Sequence, residues 1–163
     1  MAEGEWVEIM KKIGIISDTH GLLRQEVKEI LRNCDYILHA GDITQEELLD
    51  ELGMLGSLYA VLGNNDRGPV ARRLSRALSF ELEGISFYMV HDPRDVTWKL
   101  DDIQVVLTGH THHYRCEERD GRLWLNPGSC GRSRFGGEVT MAVMSVENGK
   151  YEVEKIVLKN EKV

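Results

Sequence analysis

The chain has 163 residues, of which 42% are hydrophobic and 29% are charged. Both fractions are typical of a soluble globular protein and exclude a disordered or fibrous chain. The formal net charge is −7, because 27 Asp and Glu residues outnumber 20 Lys and Arg residues. This charge argues against duplex nucleic acid as a partner and, taken alone, against an anionic substrate. No apolar run is long enough to span a membrane, so no membrane partner is expected.

The cysteines and the first residues bear on location and domain organisation. Three widely spaced cysteines without a Cys-x-x-Cys pair favour free thiols in a reducing cytoplasm. Residues 1–9 lack the basic and apolar regions of a signal peptide. We expect 1–9 to be a loosely ordered N-terminal extension and 10–163 to be a single domain.

The first half of the chain alternates predicted strands and helices. The apolar run at 13–16 predicts a buried strand, and the runs at 36–38 and 58–62 predict two further strands. Apolar residues at helical spacing predict a helix over 23–34, between the first two strands. Thr44 stands three residues before Glu47, which predicts a capping box at the start of a second helix. The order β-α-β-α-β is typical of a parallel sheet with helices packed on it.

The second half is richer in predicted strands. Glu83-Gly84, Asp120-Gly121 and Asn148-Gly149 each separate two apolar runs and predict three hairpins. Residues 104–108 predict one more strand, and 96–100 a short helix. The whole pattern indicates an α/β fold in which two mixed β-sheets pack face to face, with helices outside.

Five predicted strands end in polar clusters that contain Asp, Asn or His. Ligands bind at the carboxyl ends of strands in open α/β folds, so these clusters indicate one shared site. Imidazole and carboxylate without thiolate favour Mn, Fe, Zn, Ni or Co. The ligands are too many for one tetrahedral zinc, and two ions that share a bridging Asp, as in phosphate-ester hydrolases, fit better. The clusters are SDTH (17–20), HAGD (39–42), GNND (63–66), VHD (90–92) and GHTH (109–112).

Two of these clusters contain paired ligands. Asp18 and His20 are separated by one residue, as are His110 and His112. In a locally extended chain, such spacing places both side chains on the same side. Each pair is therefore predicted to grip one ion from an extended segment.

Together with NPGS (126–129), the five clusters closely resemble those of the calcineurin-like metallophosphoesterases, in particular the small bacterial and archaeal phosphodiesterases. The resemblance covers about 10–158. It implies the metallo-dependent phosphatase fold, a four-layer α/β/β/α sandwich. It also implies a metal-dependent phosphoric ester hydrolase, a phosphodiesterase in which a metal-bridging hydroxide attacks a small phosphodiester or phosphate ester in line. A homodimer or homotetramer is expected from the same resemblance.

The resemblance also implies the ligands of two divalent transition-metal ions. Mn²⁺ is expected, with Zn²⁺, Ni²⁺, Fe²⁺ and Co²⁺ as alternatives. One ion would be held by Asp18, His20 and His112. The other would be held by Asn64, His91 and His110, and Asp42 would bridge the two. Asp42, His91 and Asn64 are in addition expected to be catalytic. The bound cations would reverse the local charge, so a small anionic substrate becomes acceptable despite the acidic composition.

Two departures from the family pattern leave alternatives open. Asn65 stands where many larger relatives carry His as a general acid, and an amide cannot supply that proton. Asp92 follows His91 where Gly is usual; its carboxylate could orient His91 or repel an anionic substrate. His39, Asp66 and Arg67 are further candidates for supporting the ligands or contacting substrate. Arg67 and, beyond Asp92, Arg94 could each bind phosphate as a fork, or could be ordinary surface residues.

A non-catalytic scaffold of the same fold, like the retromer subunit that resembles this family, is the rival hypothesis. Scaffolds of this kind tolerate loss of metal ligands. Here every ligand position holds a residue able to bind metal, which favours catalysis.

Overall fold

The computed structural model describes residues 10–133 and 137–159, so the predicted extension over 1–9 lies outside the described residues. The strands are β1 (Lys11–Ile16), β2 (Tyr36–His39), β3 (Ser57–Ala60), β4 (Ala77–Leu82), β5 (Ile85–Val90), β6 (Val105–Leu107), β7 (Tyr114–Arg119), β8 (Arg122–Pro127), β9 (Thr140–Glu147) and β10 (Lys150–Val157). The α-helices are α1 (Gln25–Arg32), α2 (Glu46–Leu55) and α3 (Pro69–Arg72), and a 3₁₀ turn covers Pro93–Asp95. No described helix is long and apolar enough to cross a membrane.

The strands form two five-stranded sheets, each of mixed direction. The first has the order β10-β9-β1-β2-β3, in which β1, β2 and β3 are parallel and β9 is antiparallel to β1 and β10. The second has the order β4-β5-β6-β8-β7, with β5, β6 and β8 parallel and an antiparallel strand at each edge. Two mixed sheets are what the sequence predicts.

The two sheets face each other across the main core. Side chains from both sheets fill it, including Ile15, Leu38, Phe87, Leu107 and Met144, all fully buried. Residues 13–16 of β1 form a continuous apolar run because this part of the strand is covered on both faces. The outer face of the first sheet packs against α1 and α2 in a second core.

The outer layer on the second sheet is thinner than that on the first. The segment after the 3₁₀ turn covers it, with Val96, Leu100 and Ile103 packed against Tyr88 and Val106. The layers are therefore helix, sheet, sheet and a largely irregular cover with one helical turn. This arrangement confirms the predicted fold class.

The predicted hairpins are confirmed and two local predictions are wrong. Glu83, Asp120 and Asn148 adopt positive φ, followed by glycines that do the same, as the turns require. No capping box forms at Thr44, because α2 begins at Glu46 and the Thr44 N–H donates to Asp66 instead. No helix forms over 96–100, a stretch that contains β-branched and aromatic residues with weak helix propensity.

Candidate metal centre

The loops that follow β1, β2, β3, β5 and β6 meet at one end of the two sheets, and the side chain of Asp18 lies at their centre. Asp18 is fully buried. Its Oδ1 atom lies 3.3 Å from Nε2 of His112, 3.7 Å from Nε2 of His20 and 3.8 Å from Nε2 of His91. Three imidazoles from three loops therefore surround one carboxylate oxygen.

A second carboxylate, that of Asp42, lies beside the first. Its Oδ2 atom is 3.4 Å from Nε2 of His91 and 3.5 Å from Nε2 of His20. The Asn64 amide oxygen completes this side, at 2.9 Å from Nε2 of His91 and 3.2 Å from Nδ1 of His110. The structure thus brings all seven predicted ligand residues into one cluster.

The arrangement of donor atoms fits metal ions. Among the described residues, two buried side-chain polar atoms lack a hydrogen-bond partner, Oδ1 of Asp18 and Nε2 of His20. Buried polar atoms are almost always satisfied, so an unpartnered acceptor facing imidazole nitrogens needs an explanation. Ligand atoms ~2.1 Å from one ion at tetrahedral angles are ~3.4 Å apart, close to the separations found here. Both orphaned atoms would be satisfied by a cation.

Two groups of donor atoms are compact enough for an ion each. One is Asp18, His20 and His112, the trio predicted for the first ion. The other is Asp18, Asp42 and His91, so Asp18 is the residue that the two groups share. The structure associates Asn64 and His110 with the second group through the Asn64 oxygen. Both lie at the rim of the site, since Asn64 is exposed and the side chain of His110 is 33% exposed.

The backbone that presents these ligands is not extended. Five of the seven have a positive φ, between 46° and 73°. For residues other than glycine this conformation costs free energy, and it concentrates at functional sites. The prediction that each ligand pair comes from an extended segment is therefore wrong, because each loop turns sharply at both ligands. The five are Asp18, His20, Asp42, His110 and His112.

Two glycines let the loops approach the carboxylates. A Cβ atom on Gly63 would overlap Oδ1 and the backbone nitrogen of Asp42. One on Gly109 would overlap the Ser17 hydroxyl and lie 2.9 Å from Oδ2 of Asp18. Only a residue without a side chain fits at either position.

Asn65 and Asp66 support the loop that carries Asp42. Asn65 donates from its backbone N–H to Oδ1 of Asp42 and from its side-chain amide to Oδ2, each over 2.9 Å. Buried Asp66 accepts three backbone N–H groups, from Asp42 at 3.0 Å, Thr44 at 2.7 Å and Gly63 at 2.8 Å. Asn65 thus orients a carboxylate, and Asp66 ties two ligand loops together.

Three residues to which the sequence assigned no role hold the ligand loops, two of them at Asp18 and one at Gly109. The Ser17 hydroxyl donates to Oδ2 of Asp18 over 2.6 Å, and the Ser129 hydroxyl donates to the Asp18 carbonyl over 2.9 Å. The Asn126 amide donates to the carbonyl of Gly109, in the His110 loop, over 2.9 Å. The NPGS run contained the signal for Asn126 and Ser129, since polar residues in a buried turn usually bind backbone.

The charges of the metal-free site follow from these contacts. Burial alone would raise the pKa of Asp18, but the adjacent imidazoles of His112 and His20, the charge of His91 and the Ser17 hydroxyl hold that pKa well below its usual range. Burial alone would also raise the pKa of Asp42, but contacts from His91 and Asn65 outweigh that effect and lower it. Burial likewise would lower the pKa of His91, yet the two carboxylates raise it to about 9. Without metal, His91 is therefore protonated at neutral pH.

Two supporting candidates have different surroundings. His39 is fully buried; its Nδ1 accepts the Gly41 N–H over 3.0 Å, and its Nε2 lies 3.0 Å from the Thr19 hydroxyl. Burial lowers the pKa of His39 to about 3, so it is neutral and joins two ligand loops by hydrogen bonds. Arg67 is exposed, and no described residue forms a hydrogen bond or ion pair with its side chain.

The structure separates Asp92 from His91. The Nδ1–H of His91 donates to the Ala40 carbonyl over 2.7 Å, which fixes the ring and turns Nε2 toward the carboxylates. Asp92 instead binds Arg94 through four hydrogen bonds and lies 3.7 Å from Nε2 of His110. Of the two roles left open for Asp92, orientation of His91 is therefore wrong.

Comparison with known proteins identifies the family. The family model of the calcineurin-like phosphoesterase superfamily domain matches residues 10–149. The chain belongs to the calcineurin-like phosphoesterase superfamily. A probable metallophosphoesterase of Methanothermobacter thermautotrophicus is 32% identical to it over 158 residues, covering 88% of this chain and 91% of that protein. Members of a metallophosphoesterase family use divalent metal ions, which agrees with the donor groups found here.

Solved structures resemble the fold. One, described as a novel archaeal phosphodiesterase, has a TM-score of 0.77 and 28% identity, and the match covers 90% of this chain and 99% of that one. Vacuolar protein sorting 29 from Cryptosporidium parvum has a TM-score of 0.73 at 19% identity, over 93% of this chain and 99% of that one. At this identity the second likeness concerns the fold alone.

Proposed function

We propose that this protein is a dinuclear metal-dependent phosphodiesterase that hydrolyses small phosphodiesters. The observation that carries the proposal is the buried, unpartnered Oδ1 of Asp18, surrounded by three imidazole nitrogens. Family membership supplies the reaction class, and the archaeal phosphodiesterase supports the choice of diesters. We propose the seven predicted residues as ligands, with Asp42 as the bridge between the two ions, and Mn²⁺ as the first metal to test.

The chain's own groups prepare the site for two cations. When bound, two divalent ions would supply an acidic water as nucleophile and positive charge for the phosphate oxygens. Asp18 and Asp42 are held ionised, and Asn64 adds a neutral oxygen donor, so the ligands do not cancel the charge of the ions. The Ala40 carbonyl keeps Nε2 of His91 directed inward. These contacts fix the ligands before substrate arrives.

The position of Asn65 limits the leaving groups that the enzyme accepts. Its backbone N–H and its side-chain NH₂ both donate to Asp42, and its amide carries no transferable acidic proton. A leaving alkoxide must then take its proton from water. We therefore propose that esters of acidic alcohols or phenols react faster than esters of simple alcohols.

We propose a cytoplasmic location and no duplex nucleic-acid or membrane partner. The net charge of −7 disfavours long polyanions, while a small diester has to reach only the metal-lined pocket. Cys34, Cys116 and Cys130 are free thiols, as expected in a reducing compartment. The sheet edges β3, β4, β7 and β10 could support a homodimer or homotetramer.

A non-catalytic scaffold is the second candidate, favoured by the fold likeness to vacuolar protein sorting 29. The two hypotheses share the fold and differ in turnover. Full retention of the seven donor residues, with glycines that make room for two of the carboxylates, supports the enzyme.

The test is hydrolysis of bis-p-nitrophenyl phosphate by the purified chain, stripped with EDTA and reloaded with Mn²⁺. We expect metal-dependent release of p-nitrophenolate. We expect loss of at least ~10³-fold in Asp42→Asn and His110→Ala, and normal rates in the exposed control Asp101→Asn. Two bound Mn²⁺ per chain with no hydrolysis of any phosphoester in a broad panel would overturn the enzyme in favour of the scaffold.

A further inference from the structure

The segment that follows β5 contains an ion pair, between Asp92 and Arg94, next to the metal centre. Asp92 occupies the position after His91 where the family usually has Gly. Its carboxylate lies 3.7 Å from Nε2 of His110, a predicted ligand. A lone carboxylate there would oppose the approach of an anionic substrate. Arg94 removes that obstacle, because its guanidinium binds the same carboxylate.

The Asp92–Arg94 pair is held by several contacts. Nε of Arg94 is 3.1 and 3.2 Å from the two carboxylate oxygens, and Nη2 is 2.7 Å from Oδ2. The Arg94 backbone N–H also donates to Oδ1 over 2.9 Å, which starts the 3₁₀ turn at Pro93. The fixed φ of Pro93 limits the turn further. The guanidinium is thus oriented by three side-chain contacts and a rigid turn.

The orientation leaves one edge of the guanidinium free. Arginine can bind an oxyanion as a fork through Nε and Nη2, or through Nη1 and Nη2. Asp92 occupies the first edge. No described residue accepts a hydrogen bond from Nη1, and the Arg94 side chain is 82% exposed. The Nη1–Nη2 edge is therefore free and faces solvent, and the guanidinium is held in place next to the site.

The distances place this edge near the reaction site. Oδ2 of Asp92 lies near both groups, 2.7 Å from Nη2 of Arg94 and 3.7 Å from Nε2 of His110. Nη2 is therefore no further from the His110 ring than the sum of these distances. A phosphate attached to the substrate a few bonds from the reacting phosphorus can span that gap.

We propose that Arg94, positioned by Asp92, binds a second phosphoryl group of the substrate, so that the preferred substrates are phosphodiesters that carry a further phosphate. This inference rests on the proposed phosphodiesterase activity and narrows its substrate class. Arg94 is the binding residue, and Asp92 is a positioning residue. A fork of two N–H donors matches two phosphate oxygens better than the point charge of Lys does.

The test compares two p-nitrophenyl esters that share the reacting diester and the leaving group. One is thymidine 5′-(p-nitrophenyl phosphate), and the other carries an added 3′-phosphate. With the Mn²⁺-loaded protein at constant ionic strength, we expect kcat/KM for the 3′-phosphorylated ester to be about tenfold higher, mainly through KM. Arg94→Gln should reduce the ratio to about one, whereas Arg32→Gln, on α1 away from the site, should leave it unchanged.

Two further variants separate a fork from bulk charge. Asp92→Gly restores the residue usual in the family but frees Arg94, so the ratio should fall. Arg94→Lys keeps the charge but not the fork, so it should recover little of the ratio.

Several outcomes would overturn the inference. They are a wild-type ratio near one, an unchanged ratio in Arg94→Gln, and full recovery in Arg94→Lys. If the wild-type protein hydrolyses none of these three esters, bis-p-nitrophenyl phosphate included, the proposed function itself is refuted.

Discussion

Replacement of Asp66 by Asn tests how the Asp42 loop is held. Oδ2 of Asp66 accepts the N–H groups of Asp42 and Gly63, and Oδ1 accepts that of Thr44. An amide has the same shape but must turn its NH₂ toward at least one of these donors. One buried N–H left without an acceptor, with the loss of charge on the others, costs about 2 kcal/mol. For a chain of this size that lowers the melting temperature by about 4–8 °C.

The assay is thermal unfolding of the metal-free protein by calorimetry, with metal affinity as a second reading. Asp66→Ala leaves all three N–H groups without an acceptor and should be more destabilising than Asp66→Asn. The exposed Asp101→Asn serves as the control, because it removes a carboxylate that accepts no hydrogen bond from a described residue. A melting temperature of Asp66→Asn within about 1 °C of wild type would refute the reasoning.

Four other predictions concern the residues around Asp42. Gly63→Ala would place a methyl group on the Asp42 carboxylate, so we expect diester hydrolysis to fall at least ~10²-fold while circular dichroism stays folded; normal activity would contradict this. Asn65→Ala removes one of the two hydrogen bonds that orient Asp42, and kcat should drop ~10-fold or more; an unchanged kcat would show that the bond does not matter. Because the pKa of His91 is raised to about 9, Mn²⁺ binding at pH 7.5 should release close to one proton per chain, measured by calorimetry in buffers of different ionisation enthalpy. The protonated His91 also stabilises the metal-free fold. This contribution is complete below about pH 6.5 and is lost as the pH rises through about 9. A melting temperature that stays constant over this range would contradict the prediction.

Local chemistry explains which parts of the fold were predictable. The hairpins at Glu83-Gly84, Asp120-Gly121 and Asn148-Gly149 depend only on the turn residues and the flanking apolar runs. The capping box at Thr44 failed because Asp66, 22 residues away, competes for the Thr44 N–H. The residues next to Thr44 in the sequence give no indication of such a distant partner.

The candidate site divides in the same way. The ligand residues stand in short clusters with donor-atom chemistry, so the sequence was enough to group them. Their left-handed backbone and the contacts made by Asn65 and Asp92 were not predictable, because loops distant in the sequence determine them. For Asp92, the decisive fact is that the Ala40 carbonyl already holds His91.

The most direct test of the central claim is anomalous diffraction from crystals of the protein loaded with Mn²⁺. We expect two peaks per chain, ~3.5–4 Å apart. Oδ1 of Asp18 and Nε2 of His20, the two unpartnered buried atoms of the described residues, should be among the ligands of one ion. His91 should be a ligand of the other. A single peak, or a pair of ions away from Asp18 and Asp42, would contradict this prediction.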